Sequence, residues 1–202
     1  MSTIMEFYKK REDTIREHWF KEHVAEHRTH VTIDSTKEER LIWKKPGTNI
    51  NRIDYRRFGG ILVATGDLGD AIYQWYGPEG GVTLEWIAGL NLDYFAEKCL
   101  ASEEGAGYKE WSKEAAKIYL KQLMAEEGME KERKAIEGLK KNNVASAFAY
   151  VDSKEDWIEF LNNWGDEVFG SACFEYCGIG TVVNMRCQGH LLGLRMALLE
   201  KK

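Results

Sequence analysis

Three groupings of side chains in this sequence have types and spacing that chemistry could use. The first is Asp67 and Asp70 in "ILVATGDLGDAIYQW" (61–75), where an apolar run ends in Gly-Asp and a second Asp follows three residues later. A strand delivering two carboxylates to a pair of metal ions would read this way, but two metals draw further ligands from several loops. Here His18, His23, His27 and His30 all precede the motif, only His190 follows it, and "GNH" does not occur. A hairpin accounts for the same letters: "ILVAT" and "AIYQW" are strands, Gly66 and Gly69 supply positive-φ positions, and Asp67 bonds its own backbone in the turn. Asp67 and Asp70 are candidate binding residues.

The second grouping is Cys173-x3-Cys177-x9-Cys187-x2-His190. Thiolates and an imidazole in two pairs, around a glycine-containing segment, are the outline of a tetrahedral zinc site. Any metal the chain holds is expected on these four residues, and no other cofactor is expected. The spacing is not a standard one, and small thiols packed on helix faces give the same pattern. His23, His27 and His30 fall at i, i+4 and i+7, one face of a helix, but Val24 stands where a zinc protease places its catalytic Glu. They read as surface histidines. Cys99, at an apolar-periodic helical position in "FAEKCLASEEG", has no His assigned to it and reads as a buried, inert thiol.

The third grouping is basic: Lys44 and Lys45, then Arg52, Arg56 and Arg57, on neighbouring predicted strands, interleaved with Trp43, Tyr55 and Phe58. Lys44, Lys45, Arg52, Tyr55, Arg56 and Arg57 form the candidate binding patch. Charge mixed with stacking surface suits single-stranded nucleic acid, a nucleotide or an acidic protein face. A solvated strand face with edge-protecting lysines gives the same composition. The chain's net charge of −5 disfavours a global affinity for phosphate.

The elements that must position these residues change character along the chain. Residues 5–27 read as a charged amphipathic helix on Phe7, Ile15, Trp19 and Phe20. From Thr29, "HVTID", "RLIWKK", "NRIDYRR", "GILVAT" and "AIYQWY" are short β-branched or aromatic runs joined by turn residues. Links that short permit only antiparallel neighbours. The expectation is an antiparallel meander of four or five strands over about 29–76, packed with the N-terminal helix. From Thr83 the pattern is helical. Thr83 and Asn91 are expected to cap "LEWIAG" and "LDYFAEKCLA", Ser112 to begin a long helix, and Ser153 with Asp156 to form a capping box. "MEKERKAIEGLKK" (129–141) and "GHLLGLRMALLEKK" are further helices. The 202 residues are expected to make one α+β domain, with the sheet at 29–76 and mainly helix over 83–202.

"KKPGTNINRIDYRRFGGILVATGDLGDAIYQW", with "LEWIAGLNLDYFAEKCLASEEG" and the terminal "HLLGLRMAL", resembles a group of uncharacterised proteins encoded by bacteriophages and prophages. The resemblance covers about residues 41–104 and the last fifteen or so, and it carries no catalytic residue with it. It implies a phage gene product in the bacterial cytoplasm. No apolar stretch approaches the roughly 18 residues of a membrane span, so a membrane partner is not expected. With no complete catalytic constellation, the expected function is non-enzymatic: binding and inhibition of a host protein, such as a defence complex, as an anti-CRISPR or other anti-defence inhibitor. The alternative is a nucleic-acid- or nucleotide-binding accessory protein using the basic-aromatic patch.

Overall fold

The computed structural model describes residues 3–31, 37–77, 81–102, 108–123, 125, 134, 151–169 and 176–200. The expected helix at 129–141, the start of the "STKEE" link and Cys173 lie outside them, residue 134 excepted. The chain divides into two compact units, Lys9–Lys109 with Val183–Lys202, and Met1–Tyr8 with Glu110–Val182.

The larger unit is built on a six-stranded antiparallel meander in the order β1 (Val24–Val31), β2 (Lys37–Lys44), β3 (Ile53–Phe58), β4 (Ile61–Gly66), β5 (Ala71–Gln74) and β6 (Cys99–Ser102). With the N-terminal helix α1 (Ile4–Thr14) and the helices of the C-terminal half, this is the α+β fold that the sequence implies, with one or two more strands. Period-two alternation sorts the sheet into two faces. Leu41, Trp43, Ile53, Tyr55, Leu62, Ala64 and Tyr73 point inward and are buried, while their neighbours along each strand point outward.

The inner face packs on α6 (Met185–Leu198), with α2 (Leu84–Ala88) and α3 (Leu92–Glu97) against the same helix. Every residue of α6 from Cys187 to Leu194 is buried, so this helix is the centre of the unit. Its close approach to the sheet requires glycine. A Cβ on Gly193 would lie 2.4 Å from the Tyr55 hydroxyl, and one on Gly189 2.8 Å from Leu68 Cδ1. Thr83 and Asn91 cap α2 and α3 through Trp86 N and Tyr94 N, as their positions imply. Asn184 does the same for α6 by accepting from Cys187 N, which starts that helix four residues before the "GHLL" expected to open it.

The structure departs from the sequence expectation at two places. The helix over 5–27 is replaced by α1, a π-helical turn at Ile15–Trp19 and then β1. All of β1 is exposed except half-buried His27, so it lacks the one-sided apolar alternation that marks a strand, and its charges imitate a helix face. Likewise α3 stops at Glu97 and Cys99 begins β6, pairing with Tyr73. The β5 edge offers hydrogen bonds, and Gln74 N donates to Lys98 O, so pairing overrides a helical pattern that contains no stop signal.

In the smaller unit, β7 (Lys109–Trp111) precedes α4 (Lys113–Leu123), and α5 (Lys154–Phe169) precedes β8 (Thr181–Val183), which pairs with β7. Trp157, Phe160, Leu161 and Phe169 build one apolar cluster with Val151, while Phe7, Ala115, Ile118 and Val182 build another. Asp156 and Ser153 form the expected capping box, each side chain accepting from the other's backbone N–H. Ser112 caps α4 by accepting from Ala115 N. Among the described residues no helix is long and apolar enough to cross a membrane.

Candidate functional site

Strand register decides which polar side chains share a surface. Arg28 on β1 lies opposite Arg40 on β2, Arg40 opposite Arg56 on β3, Arg56 opposite Val63 on β4, Val63 opposite Ile72 on β5 and Ile72 opposite Ala101 on β6. One row thus crosses the outer face of all six strands, with three arginines at one side and apolar residues at the other. Its members are exposed or half-buried. Like charges directly opposite one another are destabilising in a sheet, so the ladder needs a counter-charge. Asp54 supplies it from the same face of β3. Its carboxylate accepts from Arg40 Nε at 3.0 Å and from Arg40 Nη2, with Arg52 Nη2 at 3.3 Å and Arg56 Nε at 3.6 Å. Burial pulls this carboxyl upward, but the hydrogen bonds and charges of Arg40 and Arg56 outweigh it and hold Asp54 below its ordinary value.

Three guanidinium groups around one carboxylate leave a cationic surplus. A cleft of about 390 Å³ opens beside them, lined by His30, Glu38, Arg40, Arg56 and Phe58 among others. Phe58 is 42% exposed at its rim.

The expected basic patch is redistributed by the same alternation. Arg56 and Arg52 are on this surface. Tyr55 and Arg57 are not: both point into the core, since they occupy the inward positions of β3. Tyr55 donates its hydroxyl hydrogen bond to His190 O at 2.8 Å. Arg57 is paired with equally buried Glu39, Nη2 to Oε2 at 2.8 Å, and Glu39 also accepts from Leu84 N at the start of α2. Trp43 is buried as well, so two of the three aromatics proposed for stacking are out of reach. Lys44 and Lys45 are engaged by Glu26 at 3.0 Å and Glu22 at 2.7 Å. Arg28 and Arg40 were missed by sequence reasoning. Arg28 was hidden by the helical assignment of β1, and Arg40 carries no local signal beyond its place opposite Arg56.

Asp67 and Asp70 hold the β4–β5 turn. Gly66 and Gly69 have positive φ, 136° and 83°. Asp70, rather than Asp67, closes the loop by accepting from Gly66 N at 3.2 Å, while Asp67 accepts from Arg52 N. This turn meets α6. A cavity of about 20 Å³, room for roughly one water, is lined by Gly69, Asp70, Tyr73, Cys99, Cys187 and His190 among others. His190 Nδ1 lies 2.8 Å from the Tyr73 hydroxyl, and Nε2 is buried without a hydrogen-bond partner, near the Gly69 backbone.

Burial pushes His190 down to about 4 and the Cys187 thiol up to about 12, and raises Cys99 and Tyr73 too. At neutral pH the cluster holds a neutral imidazole and protonated thiols, which are poor nucleophiles and poor bases. Of the suggested zinc ligands, Cys187 and His190 lie here, and Cys177 belongs to the smaller unit. Among the described residues no three His, Cys, Asp or Glu side chains are grouped to hold a metal. His27 and His30, three residues apart on a strand, point to opposite faces instead of aligning as on a helix. The chain matches no protein-family model, no curated protein and no solved structure.

Proposed function

We propose that this chain is a non-enzymatic binding protein that docks the outer face of its sheet onto an acidic surface of another protein. The observation that carries the reading is the row Arg28–Arg40–Arg56–Val63–Ile72–Ala101, cationic at one side and apolar at the other. Arginine beside apolar contact area is the composition of protein interfaces. A track for a phosphate backbone would instead be cationic along its length and provide stacking rings, and here carboxylates are interspersed and Tyr55 and Trp43 are buried. In the setting that the phage-protein resemblance implies, the partner is a host protein and the consequence of docking is its inhibition, as in an anti-defence protein.

The test is capture from a bacterial lysate with identification by mass spectrometry, comparing the parent chain with Arg56→Glu, Ile72→Asp and a control, Glu17→Lys, at an exposed residue off the sheet. Both row variants are expected to lose the partner and the control to keep it. Equal capture by all four proteins refutes the reading. Binding of single-stranded DNA or RNA that weakens steeply with salt would replace it with the nucleic-acid alternative.

A further inference from the structure

The sheet ends on one side in a long strand. β1 has eight residues against four in β6, seven of the eight are exposed, and beyond its ladder to β2 its backbone makes no hydrogen bond among the described residues. An edge of that length is a template for another strand. The sequence of the edge indicates which strand fits.

We infer that β1 pairs with β1 of a second copy of this chain, antiparallel and centred on His27, so that two six-stranded sheets join into one. A symmetric pair of this kind has its two-fold axis perpendicular to the sheet, which keeps outer face with outer face and admits only registers centred on a residue. Centring on Glu26 sets Glu26 against itself, and centring on Arg28 sets Arg28 against itself. Centring on Thr29 sets Arg28 against His30 and shortens the overlap. Centring on His27 places Glu26 opposite Arg28 of the second copy, twice by symmetry, and pairs residues 24–30 along their full length. Opposite charges facing across a strand pair are stabilising and like charges are not. Among the described residues of its own chain Arg28 makes no close ion pair, and Glu26 is paired with Lys44 on β2 while feeling the charges of Arg28 and Arg52 at longer range. The edge is complementary to itself in one register.

The experiment is sedimentation equilibrium of the full chain over a concentration series, with charge variants and a cysteine probe. The parent is expected to show a monomer–dimer equilibrium. Glu26→Arg and Arg28→Glu each place two like-charged pairs across the seam and weaken dimerisation on the order of tenfold. The double variant Glu26→Arg/Arg28→Glu restores the pairing and recovers the dimer, which a merely disrupted strand would not do. His27→Cys faces its own copy at a separation a disulfide spans, and is expected to give a cross-linked dimer on oxidation above the parent's background. Val24→Cys, about 20 Å from its copy at ~3.4 Å per residue, does not cross-link. A monomer at every concentration overturns the inference and leaves the edge to an extended segment of another protein. A dimer that the charge swap does not rescue and His27→Cys does not cross-link overturns it too, by placing the interface elsewhere.

Discussion

Replacing His190 by asparagine should make the larger unit less sensitive to acid. The imidazole is fully enclosed, and burial, opposed by the nearby Gly69 backbone and the Asp70 charge, pushes it from 6.5 down to about 4. Between those two values the unfolded chain binds a proton that the folded chain refuses. Stability therefore rises with pH through this window and falls as pH is lowered. The contribution is complete above about 6.5 and lost progressively towards 4. Each pKa unit corresponds to about 1.4 kcal/mol, so the loss reaches ~3 kcal/mol by pH 4. The asparagine side chain keeps an acceptor for the Tyr73 hydroxyl and cannot titrate. The assay is urea unfolding of parent and variant at several pH values between 4 and 7. Asp54 and other carboxylates also respond at the acid end, but they are common to both proteins and cancel in the difference. The parent should lose ~3 kcal/mol more than His190→Asn across the range. Parallel stability curves would refute the argument, because they would mean that water or structural relaxation already solvates His190 in the native state.

Two further substitutions examine the inner face of the sheet. Glu39→Leu strands the buried Arg57 guanidinium and should cost about 3–5 kcal/mol, whereas Glu39→Leu/Arg57→Met removes both charges and should recover most of it. A single-variant loss below ~1 kcal/mol, the range of exposed pairs, would show that water reaches the pair. Gly193→Ala puts a Cβ 2.4 Å from the Tyr55 hydroxyl and should cost about 1–3 kcal/mol, read as a lower melting temperature, with an unchanged Tm refuting the close packing of α6 on β3.

What the sequence disclosed and what it hid follow from one cause. Local chemistry was legible: Gly66 and Gly69 as the positive-φ residues of the hairpin, Thr83, Asn91 and Ser153 as caps, and short β-branched and aromatic runs with tight links as an antiparallel meander. Each of these is decided within a few residues of itself. Signals that depend on a distant neighbour were not legible. β1 is exposed on both faces because it lies at the edge, and β6 exists because β5 needed a partner. The same limit shaped the site. "IDYRRF" shows that Arg56 and Arg57 are adjacent, but which one faces solvent depends on the strand's phase relative to Leu41 and Leu62, and only then does Tyr55 follow Arg57 inward. Arg40 joins the site only through register.

The arrangement also explains how a chain of net charge −5 presents a cationic surface. Glu39 and Arg57 neutralise each other in the core, and Arg16 is held by Glu12 and Glu200 away from the sheet. The outer face keeps Arg40, Arg52 and Arg56 around the carboxylate of Asp54, plus Arg28, while Glu26 is taken up by Lys44 and Glu38 lies at the cleft. Screening confines such a field to roughly 8–10 Å at physiological salt, so the negative charge elsewhere on the chain does not cancel it at contact distance. A protein partner offering a compact acidic patch meets only the local field. Joining two copies through β1 sets the two arginine ladders on the same face of the joined sheet, one at each side of the seam, and the apolar ends of the rows lie outermost. A partner wide enough to span the seam would engage two equivalent faces at once, and its second contact would form at the high effective concentration that the first one creates.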